Sequence, residues 1–257
     1  INLKEESGIG MYAEGVYGTA QYSTAVNKAK ISLETKAKES IGMYAIGQGI
    51  VRNEKNIEIS AESGVGIFVS DTGYGENVKD SKYKDSNGQI DLLNAKSVGI
   101  FAKNNGNTYT AKNSGTINLG TTDGKIAHTS LIGMFAQAET GKTATVQNTA
   151  DGIINVNTKK SVGMYGQNTA ANVTDVDLQN LGTININNQG SAGIYAPKST
   201  VSKVGTIKLK NTTDSDGSSA VYVSEGGKVA DTTTGTIDLG TINQNRVAYY
   251  INGKDST

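Results

Sequence analysis

The sequence predicts an all-β protein, a right-handed parallel β-helix of about nine coils, each made of three short strands, with loops inserted at the corners. Three observations carry this prediction. A motif of small, aliphatic, Gly, aliphatic, aromatic and small residues returns about every 28 residues, a period typical of stacked repeats that cannot bury an apolar face alone. Ahead of most copies lies a second ladder of alternating Ile-x-Leu or Ile-x-Ile segments, and ahead of that a third ladder ending in Asn.

The first motif runs through Gly8–Ala13, Ser40–Ala45, Gly64–Val69, Ser97–Ala102, Leu131–Ala136, Ser161–Gly166 and Ser191–Ala196, with looser copies at Ser219–Val223 and Val247–Ile251. The second reads Ile1-Asn2-Leu3, Ile31-Ser32-Leu33, Ile57-Glu58-Ile59, Ile90-Asp91-Leu92, Ile117-Asn118-Leu119, Ile154-Asn155-Val156, Ile184-Asn185-Ile186, Ile207-Lys208-Leu209 and Ile237-Asp238-Leu239. Apolar, polar, apolar is a period of two, so each segment reads as a strand with one wet and one buried face. Gly115, Gly182, Gly205 and Gly235 precede a Thr-Ile start and are read as turn residues accepting positive φ. The third ladder includes Val26-Asn27, Val51-Arg52-Asn53, Val78-Lys79-Asp80, Ala111-Lys112-Asn113, Val146-Gln147-Asn148, Val176–Asn180, Val201-Ser202-Lys203 and Val229-Ala230-Asp231. Asn recurring at a corner suggests a stacked side-chain ladder.

Parity within Val98-Gly99-Ile100-Phe101-Ala102 places Val98, Ile100 and Ala102 on one face and Gly99 with Phe101 on the other. The aliphatic set is expected inside. One inward column would hold Ile9, Ile41, Val65, Val98, Ile132 and Val162, and the next Met11, Met43, Ile67, Ile100, Met134, Met164 and Ile194. The aromatic column from Tyr12 to Tyr250 would then lie outside, each ring covering the Gly of an adjacent rung. Nine rungs at about 4.8 Å would make a rod of about 43 Å.

Residues 1–257 are read as one domain, because the repeat leaves no break in composition. The chain opens in mid-motif without capping units, so it is expected to be part of a longer rod. It has 24 Lys+Arg against 24 Asp+Glu, and only Arg52 and Arg246 are arginines, which disfavours a nucleic-acid partner. With no Cys and a single His, it offers neither a disulfide framework nor a thiolate or His-rich metal site, and no metal or cofactor is expected.

β-Helices can be polysaccharide lyases or hydrolases, which work with carboxylates about 5 to 10 Å apart or with an Arg base. The outward carboxylates Glu58, Asp91 and Asp238 are read as lying on rungs that are not adjacent, so no catalytic residue and no enzyme activity is expected. His128 sits in a corner insertion without a nucleophile motif. Recognition is expected instead in corner insertions displayed on a rigid scaffold. The candidate ligand-binding residues are Asp71, Tyr74, Glu76, Lys82, Tyr83 and Asp85 between Phe68 and Ile90, His128 in 120–130, and Asp214 and Asp216 in 211–218.

The combined pattern of Val-x-Asn, Gly-Thr-Ile-x-Leu and Ser-x-Gly-Met/Ile-Tyr/Phe-Ala resembles the passenger repeats of classical type Va autotransporters, most of all the large fusobacterial outer-membrane adhesins. The likeness covers nearly the whole chain. It implies a surface-exposed rod of a type V secretion system, anchored in the bacterial outer membrane through a C-terminal β-barrel outside this chain. It further implies a virulence-related role in attachment to host-cell proteins or glycans or to other bacteria, or service as a spacer, with the passenger monomeric.

Overall fold

The structure, a computed structural model, describes residues 1–16, 22–80, 86–121, 128–169, 172–210, 216–230, 235–240 and 245–257. The chain winds into a parallel β-solenoid of three sheets, and its one helical element among the described residues is a single 3-10 turn, Val173–Asp175. The first sheet stacks nine strands from Asn2–Leu3 to Thr236–Asp238, the second nine from Ile9–Glu14 to Val247–Asn252, and the third eight from Thr24–Asn27 to Lys228–Val229. The solenoid makes about 7 turns, short of the nine coils read from the motif. At its ends Asn2–Leu3 and Lys228–Val229 are two-residue strands, and no third-sheet strand follows Val247–Asn252 among the described residues.

Register keeps like above like. In the first sheet Ile57, Ile90, Ile117, Ile154, Ile184 and Ile207 are successive partners, each fully buried, with Ile59, Leu92, Leu119, Val156, Ile186 and Leu209 as the second buried column. A full-length aliphatic stack buries about 1.5 to 3 kcal/mol of apolar transfer free energy per side chain, which is what makes the parallel coil cohere without disulfides.

The second sheet corrects the expected parity. Met43, Ile67, Ile100, Met134, Met164 and Ile194 are fully buried, as expected, and the rings are outside. Ile41, Val65, Val98, Ile132 and Val162, assigned inward, are instead half-buried on the outer face beside the rings. The cause is the glycine. Gly99 and Ile100 both face inward, and a Cβ on Gly99 would lie 2.5 Å from the Gly133 carbonyl oxygen and 2.9 Å from Ile117 Cγ2. The column Gly10, Gly42, Gly66, Gly99, Gly133, Gly163, Gly193 therefore lets the second sheet press on the first, and the kink it introduces interrupts the period of two. The rings do not cover these glycines, which lie on the opposite face.

The third sheet corrects one strand. Tyr74–Asn77, not Val78-Lys79-Asp80, is the rung between Ile50–Asn53 and Gly106–Asn113. Lys79–Asp80 pairs antiparallel with Ser86–Asn87 as the base of a small hairpin pushed out of the ladder.

At the corner leading from the third sheet to the first, Asn27, Asn53, Asn77, Asn113, Asn148 and Asn180 form a continuous buried ladder. Each Nδ2 donates to the Oδ1 of the next rung at 2.7 to 2.8 Å, and Asn180 closes the series on the Val204 carbonyl at 2.6 Å. The turn glycines beside this ladder serve space more than conformation. Gly205 alone of the four has positive φ (+59°), whereas a Cβ on Gly115 would strike the Gly88 carbonyl and the Asn77 amide.

Candidate functional site

Three outward features could carry function: the polar face of the first sheet, the aromatic face of the second, and the corners. On the first, Asn185, Asn155 and Asn118 pass Nδ2 to Oδ1 hydrogen bonds of 2.8 Å down the rod, ending on Asp91. Here the structure overturns the expected separation of the carboxylates. Asp91 and Glu58 are direct Cα partners on neighbouring strands, because Ile57-Glu58-Ile59 and Ile90-Asp91-Leu92 are consecutive copies of the second ladder with no rung between them. They line a shallow hollow of about 320 Å³ with Gln89 and Asn118. Both already have partners: Glu58 bridges Lys30 at 3.0 Å, and Asp91 accepts from Gln89 at 2.7 and 2.8 Å as well as from Asn118. Asp238 lies apart, opposite Lys208.

On the second sheet, nine rings from Tyr12 to Tyr250 stack continuously with centroids 4.6 to 5.5 Å apart. Six of the eight contacts are nearly parallel or tilted by at most 39°, so ring faces are turned to one another and only edges meet solvent. Stacking of this kind contributes about 0.5 to 1.5 kcal/mol per pair. It leaves no broad aromatic platform along the middle of the rod.

The candidate corner residues separate into different environments. Tyr74 and Glu76, expected in a loop, are half-buried in a third-sheet strand. Tyr74 Oη donates to Glu76 Oε2 at 3.0 Å, Ser114 donates to Glu76 Oε1 at 3.2 Å, and Arg52 and Lys112 flank Glu76 on the neighbouring rungs. Burial, with the nearby Glu76 carboxylate, pushes the Tyr74 phenol well above its usual range. This cluster is a cross-rung network of the scaffold. Asp216 is half-buried, its Oδ1 3.4 Å from Nε of Arg246, whose side chain is 1 % exposed. His128 is exposed at its corner. Lys82, Tyr83, Asp85 and Asp214 lie outside the described residues.

Asp71 stands apart from these. It is exposed, in a left-handed turn (φ +45°), at the corner between the second and third sheets. There it lines a cleft of about 540 Å³ that crosses five successive coils, through Glu14–Gly15, Ile46–Gly47, Asp71–Thr72, Asn104–Gly106 and Gly141–Thr143. Sequence reading missed this cleft. The available signal was the glycine that recurs between the aromatic motif and the third ladder, at Gly15, Gly47, Gly73, Gly106 and Gly141. Among the described residues no group of three or more His, Cys, Asp or Glu is placed to hold a metal, and no helix is long and apolar enough to cross a membrane.

A single-chain repeat solenoid with glycine-spaced, register-locked ladders is the class that this geometry defines. Within that class, the model of the BigA third pectate lyase-like domain matches residues 1–141 and, in an overlapping second match, 81–176, and the chain belongs to that family. Two offset matches are what a repeating scaffold produces when the same rungs fit the model in more than one register. No curated protein and no solved structure matches the chain.

Proposed function

We propose that this chain is a segment of the passenger of a surface-exposed bacterial adhesin of the type Va autotransporter kind, akin to the fusobacterial ones, that presents its corners for attachment. The observation that carries the reading is the division of the molecule into uniform ladders and varied corners. The inward columns, the ring column and the Asn corner repeat rung after rung, while the other corners differ in length, charge and backbone conformation. Membership in the BigA domain family supports a passenger-type β-helix. Anchoring belongs to a barrel outside this chain, and the passenger acts as a monomer. With 24 cationic and 24 acidic side chains, the rod has no net charge to favour nucleic acid.

The adjacent Glu58 and Asp91 favour a second reading, a polysaccharide lyase or hydrolase on the first-sheet face. Against it, the two carboxylates are engaged by Lys30, Gln89 and Asn118, and neither arginine of the chain lies on that sheet. One experiment addresses both. Beads coated with the protein are applied to epithelial cells and to co-resident bacteria, and the soluble protein is incubated with polygalacturonate while unsaturated product is followed by absorbance. Adhesion above that of uncoated beads, without product, is the expected result. Absence of adhesion to every surface overturns the adhesive reading, and product that disappears in Asp91→Asn establishes the lyase.

A further inference from the structure

We propose that the five-coil cleft between the second and third sheets binds an extended, neutral oligosaccharide. This proposal rests on the adhesive reading and specifies what it recognises.

The cleft is made by the backbone. Gly15, Gly47, Gly106 and Gly141 line it on four of its five rungs, so the lining is short of side chains there, while the third rung presents Asp71 and Thr72. Two of these glycines are obligatory. A Cβ on Gly15 would strike the Gln48 backbone, and one on Gly47, at φ +59°, would strike the Gly15 carbonyl. At those two rungs the concavity is fixed by the same close packing that holds the coils together, while a Cβ on Gly106 or Gly141 would meet nothing within 4 Å. Five rungs at about 4.8 Å give a trough of roughly 19 Å, and its volume lies within the range of small-ligand sites.

Its walls carry the functional groups that hydroxyl-rich ligands require. Glu14 and Asp71 offer carboxylate acceptors, Lys142 an ammonium donor, and Thr72 and Thr143 line the trough between them. The Asn104 side chain is held in place by bonds to Glu139, donating to Oε2 at 3.1 Å and accepting from the backbone N–H at 2.9 Å. Ile46 supplies one apolar contact at the floor.

Chemistry selects the ligand class. A peptide would need a free strand edge or apolar anchors. The rungs beside the trough are paired in parallel with the coils above and below, and Ile46 is the one aliphatic side chain in its lining. The two carboxylates against one ammonium leave the lining negative, which disfavours uronic and sialic acids through like-charge repulsion. A chain of neutral sugars meets the length, the mixed donors and acceptors, and the charge.

The test uses the intact protein on a panel of neutral hexose and N-acetylhexosamine oligosaccharides, with sialylated and polygalacturonate oligomers as the acidic arm. Binding of at least one neutral oligosaccharide is expected, weaker or absent for acidic ones. Thr143→Trp, which fills the trough, should weaken that binding at least tenfold, and Asp71→Asn several-fold, with melting temperatures unchanged. Failure to bind any neutral member, preference for acidic members, or equal binding by folded Thr143→Trp overturns the proposal. Adhesion of coated beads is read in parallel. Beads that adhere equally with wild type and Thr143→Trp sink the cleft and leave the adhesive reading standing. Cleft-dependent sugar binding without adhesion sinks the adhesive reading and leaves the cleft.

Discussion

Two corners of the same coil are closed by different means, and the difference explains where this rod is uniform and where it is free to vary. At the corner entering the first sheet, each turn is tied to the next by a buried asparagine amide, from Asn27 to Asn180. An interior amide must find both donor and acceptor partners, so a different side chain at one rung strands the groups above and below. That corner must repeat. At the corner leaving the second sheet, the chain turns through left-handed residues such as Gly47, Asp71, Asn104 and Gly141, whose strain is local to each coil. Contacts between rungs there are exposed side-chain bonds, such as Asn104 with Glu139, or glycine packing, as at Gly15 and Gly47, so charge can change from coil to coil without stranding a buried amide.

The contrast can be broken most forcefully from within. Ile100→Asp buries a carboxylate between Ile67 and Met134 and should destabilise by about 3 kcal/mol or more, through lost apolar burial and uncompensated desolvation. Lys103→Ala on the same strand removes an ion pair with Glu139 that is exposed on both sides and should change stability by less than about 1 kcal/mol. Chemical denaturation of the two variants checks the facing, and similar midpoints would refute it. Gly99→Ala comes next, because its Cβ would press on the Gly133 carbonyl and Ile117; overpacking of this kind costs about 1 to 3 kcal/mol. Thermal unfolding should report the loss, whereas Gly106→Ala meets no neighbour within 4 Å and loses only what its positive φ imposes.

Smaller effects come from titration. The Tyr74 phenol is raised in the folded state by burial, so the unfolded chain ionises first as pH rises past the ordinary value of 10.0. Its contribution is intact below that pH and is lost progressively above it. Melting followed into the alkaline range should fall less steeply in Tyr74→Phe than in wild type. The smallest effect is expected at Glu62, whose carboxyl is held low by its hydrogen bond and charge contact with Lys96. Any stabilisation is present above the ordinary value of 4.5 and disappears as pH falls through the lowered one. Glu62→Gln should alter only the acid limb of the melting profile.

Much of the scaffold is legible in the sequence, because stacked rungs demand like residues at like positions. Ile57, Ile90 and Ile117, the Asn ladder and the ring column all announce themselves by recurrence. What recurrence hides is local geometry. Val98 appears inward by strict alternation, and only the kink at Gly99 turns it out. Tyr74–Asn77 escapes recognition because Gly75 and Glu76 weaken its strand character, while the hairpin after it separates Asn77 from its turn glycine, Gly88. That Glu58 and Asp91 are neighbours is legible in the second ladder itself, since their strands are its consecutive copies. The cleft is legible only as a column of glycines, since its shape consists of missing side chains.

A matched pair of substitutions tests the comparison of the two corners most directly. Asn113→Ala removes a buried ladder amide and breaks the ladder bonds to both Asn77 and Asn148, whereas Asn104→Gly removes a half-buried corner amide with a solvent-exposed bond to Glu139 and keeps the freedom that its left-handed turn needs. The melting temperature should fall by several degrees in the first, corresponding to about 1 to 3 kcal/mol, and by about a degree or less in the second. Equal shifts, or the larger one at Asn104, would contradict the account.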